Sequence, residues 1–252
     1  MGKPEAFEPK TQVERAARID LAAAFRLAVR LDMHEGICNH LSVMLPGTRD
    51  RFLLNRFGLH WSEVTASNLL ALDAEGNVLE GEGEFEKTAF YIHSRIHLVN
   101  PNAACVLHTH MPYATALTLT EPGRLEMVEQ NALRFVDDIA YDEEYNGLVV
   151  DNAEGDRLAR VLGEKRVMFL ANHGVVIVGP SVAEAFDLMY YLERACRLQV
   201  LALSTGRKLR QVDGKVAKAT YAMLLEQNSV YSNAHFGALK RLLDREEPDY
   251  AR

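Results

Sequence analysis

Cysteine is scarce. Cys38, Cys105 and Cys196 are odd in number, far apart and without a Cys-x-x-Cys pair, which excludes a disulfide framework. The sequence predicts three free thiols in a reducing compartment, buried as small hydrophobes. Long apolar runs are also missing: nothing approaches the roughly 20 residues that a membrane-spanning helix needs. The opening MGKPEAFEPKTQVERAARID has no apolar stretch behind its charges of the secretory kind. A cytoplasmic protein without a membrane partner is therefore expected. Basic charge is in deficit, 28 Lys plus Arg against 35 Asp plus Glu, and the acidic residues are scattered, so nucleic acid is not an expected partner.

What is present is enough apolar residue, 48% of 252, to bury a substantial core, and the sequence predicts one domain over residues 1–252. Residues 1–10 read as a loose arm. From Val13 to Asp32 apolar positions recur at helical spacing, with Gly36 as the expected left-handed cap. HLSVML, RFLLN, LLALD and GNVLE, separated by turn residues, have the texture of an antiparallel sheet. AFYIHSRIHLVN predicts a helix closed by Pro101. AACVLHTH and VMFLANHG are apolar runs that end in polar residues, as in strands with a buried body and a tip at a cleft; VVIVG looks like a further strand. A long helix from Ser181 would cover the sheet, and residues 205–252 read as a C-terminal helical extension with two helices between Gly214 and Asp244. The pattern is α/β.

His108 and His110 stand two apart, so a strand continuing through them projects both imidazoles from one face, toward one ion. Catalytic sites for zinc and similar metals commonly use three protein ligands and keep one position open. His173, at the tip of the other buried run, is the third candidate. The alternative is that these histidines sit at strand ends as half-buried hydrogen-bonding groups. His93 and His97, four apart on a predicted helix, can chelate but lack a cysteine or acidic partner; with His40 they read as core or hydrogen-bonding residues behind the site. Tyr113 either stands over the metal or starts an apolar helix.

LHTHMPYATALT followed by NHGVVIVG, with GICNHLSVMLPG upstream, resembles the class II aldolase and adducin head domain family, from about Ala16 to about Ser204. The resemblance implies a three-layer α/β/α fold whose central, mainly antiparallel sheet is covered by helices. It implies one divalent metal ion per subunit on His108, His110 and His173, zinc with manganese or iron as alternatives. It also implies a homotetramer with the active site near a subunit interface. The activity implied is that of a lyase acting on a small hydroxy or keto acid or sugar-like metabolite through a metal-stabilised enolate.

Two departures from the family pattern bear on the reaction. The glutamate expected at the start of the helix before Pro101 is Ala89 here, which moves weight from aldol cleavage to decarboxylation or dehydration. Glu86, and less plausibly Glu84, lies just upstream and could supply the carboxylate; the alternative is a solvated acidic loop. The turn NRFGLHW lacks the serine and glycine donors that cradle a phosphate, so a phosphorylated sugar is not the expected substrate. Arg56 in that turn could fork onto a substrate carboxylate, and Asn39 could hydrogen-bond the substrate; an exposed arginine and a turn residue are the alternatives. A different class of function also fits the resemblance, a non-enzymatic adducin-like interaction module.

Overall fold

The computed structural model describes residues 11–252, so the arm expected over residues 1–10 lies outside the described residues. The chain opens with helix α1 (Gln12–Arg30), whose first turn is capped by the Thr11 side chain accepting from Glu14 N. It closes on Asp32, which adopts φ 55, with Met33 N bonded to Ala28 O and Asp32 N to Val29 O. This paired closure satisfies the last carbonyls, and Gly36, expected to cap the helix, takes its positive φ later in the loop.

Strands β1 (His40–Met44), β2 (Arg51–Leu54), β3 (Leu70–Asp73) and β4 (Val78–Glu80) follow as the antiparallel meander that the turn residues predict. Helix α2 (Lys87–Val99) then leads to β5 (Cys105–Thr109), and a short helix α3 (Pro112–Thr118) follows. Strand β6 (Ile139–Asp142) and helix α4 (Asn152–Leu162) were not foreshadowed by periodicity. The hairpin β7 (Val167–Leu170) and β8 (Gly174–Gly179) precedes the long helix α5 (Val182–Leu203), capped by Ser181. The two expected C-terminal helices are α6 (Gly214–Glu226) and α7 (Asn228–Glu246).

All eight strands form one sheet in the order β4-β3-β2-β1-β5-β8-β7-β6, antiparallel throughout except for the β6–β7 pair. Side chains alternate across it. Leu107, Phe169 and Ile177 point into a core shared with α1, α3, α5 and α7, while Val106, Met168 and Val176 pack against α2 and α4. The three-layer α/β/α architecture follows, and double coverage explains why the central strands read as unbroken apolar runs. Helices α2 and α4 approach closely at Gly155, where a Cβ would stand 2.2 Å from Tyr91 O. The three thiols are free, with Cys105 and Cys196 buried as expected; Cys38 is exposed in the turn before β1, a correction to its predicted burial. Among the described residues no helix is long and apolar enough to cross a membrane.

Candidate metal centre

Two adjacent central strands and the turn beyond them bring His108, His110 and His173 together. Strand β5 ends at Thr109, so His110 lies one residue past the regular ladder. The two rings nevertheless meet edge to face, with centroids 5.0 Å apart, and His173 stands 4.9 Å from His108 and 4.8 Å from His110. One ring nitrogen from each lies within 4.8 Å of the other two, spacing at which a single ion could take all three.

His173 is placed by the three-residue connection between β7 and β8. Asn172 takes φ 56, a left-handed conformation that asparagine tolerates, and His173 N returns to Leu170 O at 3.1 Å. Gly174 is required by packing. A Cβ there would meet His110 Cδ2 at 2.6 Å and Thr109 O at 2.7 Å, so the missing side chain is the space in which the His110 ring lies.

Each ring orientation has a partner behind it. His108 Nδ1 donates to Val175 O at 3.0 Å, leaving Nε2 as the lone-pair nitrogen. His110 Nδ1 bonds Glu35 Oε2, and its Nε2 is buried with no hydrogen-bond partner. A buried unpartnered lone pair is costly, and a cation among three imidazoles would satisfy it. Burial, followed by neighbouring imidazoles, pushes the pKa of His108 well below its ordinary value and that of His173 to about 4. The neutral rings are the form in which imidazole binds a metal.

The remaining predicted residues fall at different distances from this centre. Asn39 is buried beside it: Oδ1 accepts from His110 N at 3.1 Å, and Nδ2 is a buried donor with no hydrogen-bond partner. Glu86 is the N-cap of α2. Its carboxylate accepts from Ala89 N at 2.8 Å and from the Thr88 hydroxyl, and lies 4.0 Å from His40 Nε2. Ala89 is fully buried in an apolar cluster with Phe52, Leu54 and Leu72, so no proton transfer can come from that position. Arg56 is exposed and lies against Gly83, whose added Cβ would meet its Nε at 2.6 Å; among the described residues no hydrogen bond joins it to the three histidines. Glu84 stays in the same loop, its carbonyl accepting from Phe57 N. Tyr113 turns toward α5, where Arg197 covers its ring at 5.5 Å, in keeping with its reading as a helix-start residue.

Two residues at the site were not singled out in the sequence. Glu35 comes from the loop after α1, and nothing local marks it as a partner of His110. Tyr145 stands on an exposed loop with its ring 6.3 Å from that of His173. His40, His93 and His97 make buried hydrogen bonds behind the centre, His40 Nδ1 with His93 Nε2 and Ser42 Oγ with His97 Nε2.

Known proteins share this arrangement of chain. The family profile described as Class II Aldolase and Adducin N-terminal domain matches residues 19–200. A Caulobacter vibrioides protein provisionally placed in aldolase class 2 is 34% identical over 244 residues, covering 96% of this chain and 94% of its own. An adducin-related protein of Schizosaccharomyces pombe is 32% identical over 256 residues, covering 95% of this chain and 78% of its own. Among solved structures, an aldolase II superfamily protein from Pseudomonas syringae matches with a TM-score of 0.89 at 34% identity, over 96% of this chain and 97% of its own.

Proposed function

We propose, from the premise that this chain belongs to the class II aldolase and adducin family, that it is a divalent-metal lyase acting on a small hydroxy or keto acid or sugar-like metabolite. The observation that carries the reading is the convergence of His108, His110 and His173, each ring oriented or packed so that a nitrogen faces the others. Zinc suits such a nitrogen set, with manganese and iron as alternatives. A bound ion there would act as a Lewis acid, polarising a carbonyl and stabilising the negative charge of an enolate-like transition state.

The chain's own groups supply the rest. Asn39 Nδ2, an unpartnered buried donor, would hydrogen-bond a substrate oxygen in this reading. Glu86, fixed as the cap of α2, is the carboxylate nearest to the role that Ala89 cannot fill. With no carboxylate at position 89, decarboxylation or dehydration fits better than aldol cleavage. We assign Arg56 only a peripheral contact with a substrate carboxylate, since it lies on the exposed turn. We further read the chain as one domain, because α7 adds Phe236 and Leu243 to the same core as α1 and α5. The exposed Leu198, Leu201, Met223, Val230 and Tyr231 favour a homo-oligomer, in line with the tetramer implied by resemblance.

The test is elemental analysis of purified, chelator-free protein beside His108→Ala and His173→Ala. Near-stoichiometric divalent metal that both substitutions abolish supports the reading and directs a screen of hydroxy and keto acids. A folded wild type that takes up no added zinc, manganese or iron would sink it. The adducin-like interaction module, favoured by the similarity to an adducin-related protein, would then stand.

A further inference from the structure

Behind the three histidines runs a chain of buried polar groups that metal ligation does not use. His97 Nδ1 faces Ala103 O at 2.6 Å, and its Nε2 faces Ser42 Oγ at 2.7 Å. Ser42 Oγ also meets His93 Nδ1 at 2.5 Å, and His93 Nε2 meets His40 Nδ1 at 2.7 Å. All four side chains are buried, tying β1 to α2 across the face that carries His108.

Proton counting gives this chain one direction. A carbonyl can only accept, so His97 carries its proton on Nδ1 and offers a lone pair at Nε2. The single Ser42 hydroxyl proton is then spent on His97, and Ser42 Oγ must accept from His93 Nδ1. The His93 nitrogens face only Ser42 and His40, with no carboxylate to support a second proton in the interior, so Nε2 is a lone pair. His40 therefore donates from Nδ1, and its Nε2, with Glu86 Oε2 beyond hydrogen-bond distance, is the lone-pair nitrogen of a neutral ring. That nitrogen lies 4.0 Å from Glu86 Oε2, two acceptors facing each other with no proton between them. The His40 ring is 4.8 Å from that of His108, its cross-strand partner in the sheet.

We propose that His40 Nε2, beside the Glu86 carboxylate, accepts the hydrogen bond of a hydroxyl group of the substrate, orienting it at the three-histidine centre. The proposal rests on the metal-site reading above and narrows the substrate class to compounds with a free hydroxyl near the metal-bound oxygens. The serine-histidine chain acts at a distance by holding His40 in the one tautomer that can accept.

Two readouts on the full chain test it. In metal-free protein, nitrogen-15 NMR of the histidine rings is expected to show Nδ1 protonated and Nε2 bare at His40, His93 and His97, with Ser42→Ala releasing His93 from that tautomer. In zinc-loaded protein, lactate and propionate binding are compared in wild type and His40→Phe, with zinc content measured on the same samples. We expect His40→Phe to weaken lactate about fivefold, the value of roughly one net hydrogen bond, while leaving propionate unchanged. A proton on His40 Nε2, or equal loss for both ligands in zinc-loaded protein, overturns the proposal alone. A wild type that binds no zinc overturns the metal-site reading and the proposal with it.

Discussion

Glu35 and His110 meet across 75 positions of sequence, the carboxylate of the loop after α1 accepting a hydrogen bond from Nδ1 of a ring just past β5. A carboxylate on the far nitrogen fixes the tautomer and makes the near nitrogen a better donor to a metal. Glu35→Gln keeps the size of the side chain but removes its charge. We expect metal affinity to fall about 10- to 100-fold, with little change in folding because Glu35 is exposed. Competition against a chelator of known affinity measures this; an unchanged constant would remove Glu35 from the centre.

Gly174 tests the same ring from the other side. Gly174→Ala places a methyl 2.6 Å from His110 Cδ2 and 2.7 Å from Thr109 O, and a strand backbone cannot retreat as a flexible side chain can. The ring must move. Overpacking of this kind typically costs about 1–3 kcal/mol, so the denaturant midpoint should drop and bound metal should fall below one ion per chain. A variant with wild-type stability and full metal content would contradict this account of the Asn-His-Gly turn.

The central strands were legible because burial on both faces turns them into continuous apolar runs, as at Cys105–Leu107 and Val167–Leu170. The three histidines were legible because each ends or follows such a run. Strand β6 hid behind its polar end at Asp142, and α4 behind an interior glycine and a charged outer face; its one local signal was Asp151, whose side chain caps Glu154 N. Glu35 could not be read at all, since a contact over 75 positions leaves no periodicity. The spacing of His93 and His97 showed one helix face, but the direction of their proton chain depends on Ser42 and Ala103, which only the fold brings near.

Gly155 sets two effects against each other. Alanine is the better helix former by about 1 kcal/mol, which alone would stabilise α4. Its Cβ, however, would stand 2.2 Å from Tyr91 O and 2.8 Å from Arg95 Cγ, and the first of these is backbone of α2. The clash should win, giving a net loss of about 1–2 kcal/mol as the helices separate. Chemical denaturation of Gly155→Ala decides the sign, and a stabilised variant would show that α2 and α4 slide apart at no cost.

Stability should depend on pH through the buried chain, most simply through His97. Burial drives its pKa down from 6.5 to about 4, so it is neutral in the folded protein where the unfolded chain is already charged. Between pH 6.5 and about 4 the unfolded state holds the extra proton, and stability rises with pH across that window. Conversely it falls on acidification, by up to about 1.4 kcal/mol per pH unit for one such group, and the loss is complete below about pH 4. His40, lowered by burial and by its imidazole neighbours to about 3, extends the decline further. Urea midpoints of metal-free protein, measured from pH 7 to pH 4 so that metal release does not contribute, should fall steadily, and His97→Gln should flatten the profile. Midpoints of wild type that stay level over that range would mean that His97 keeps its ordinary pKa in the fold, and that its burial does not hold the ring neutral.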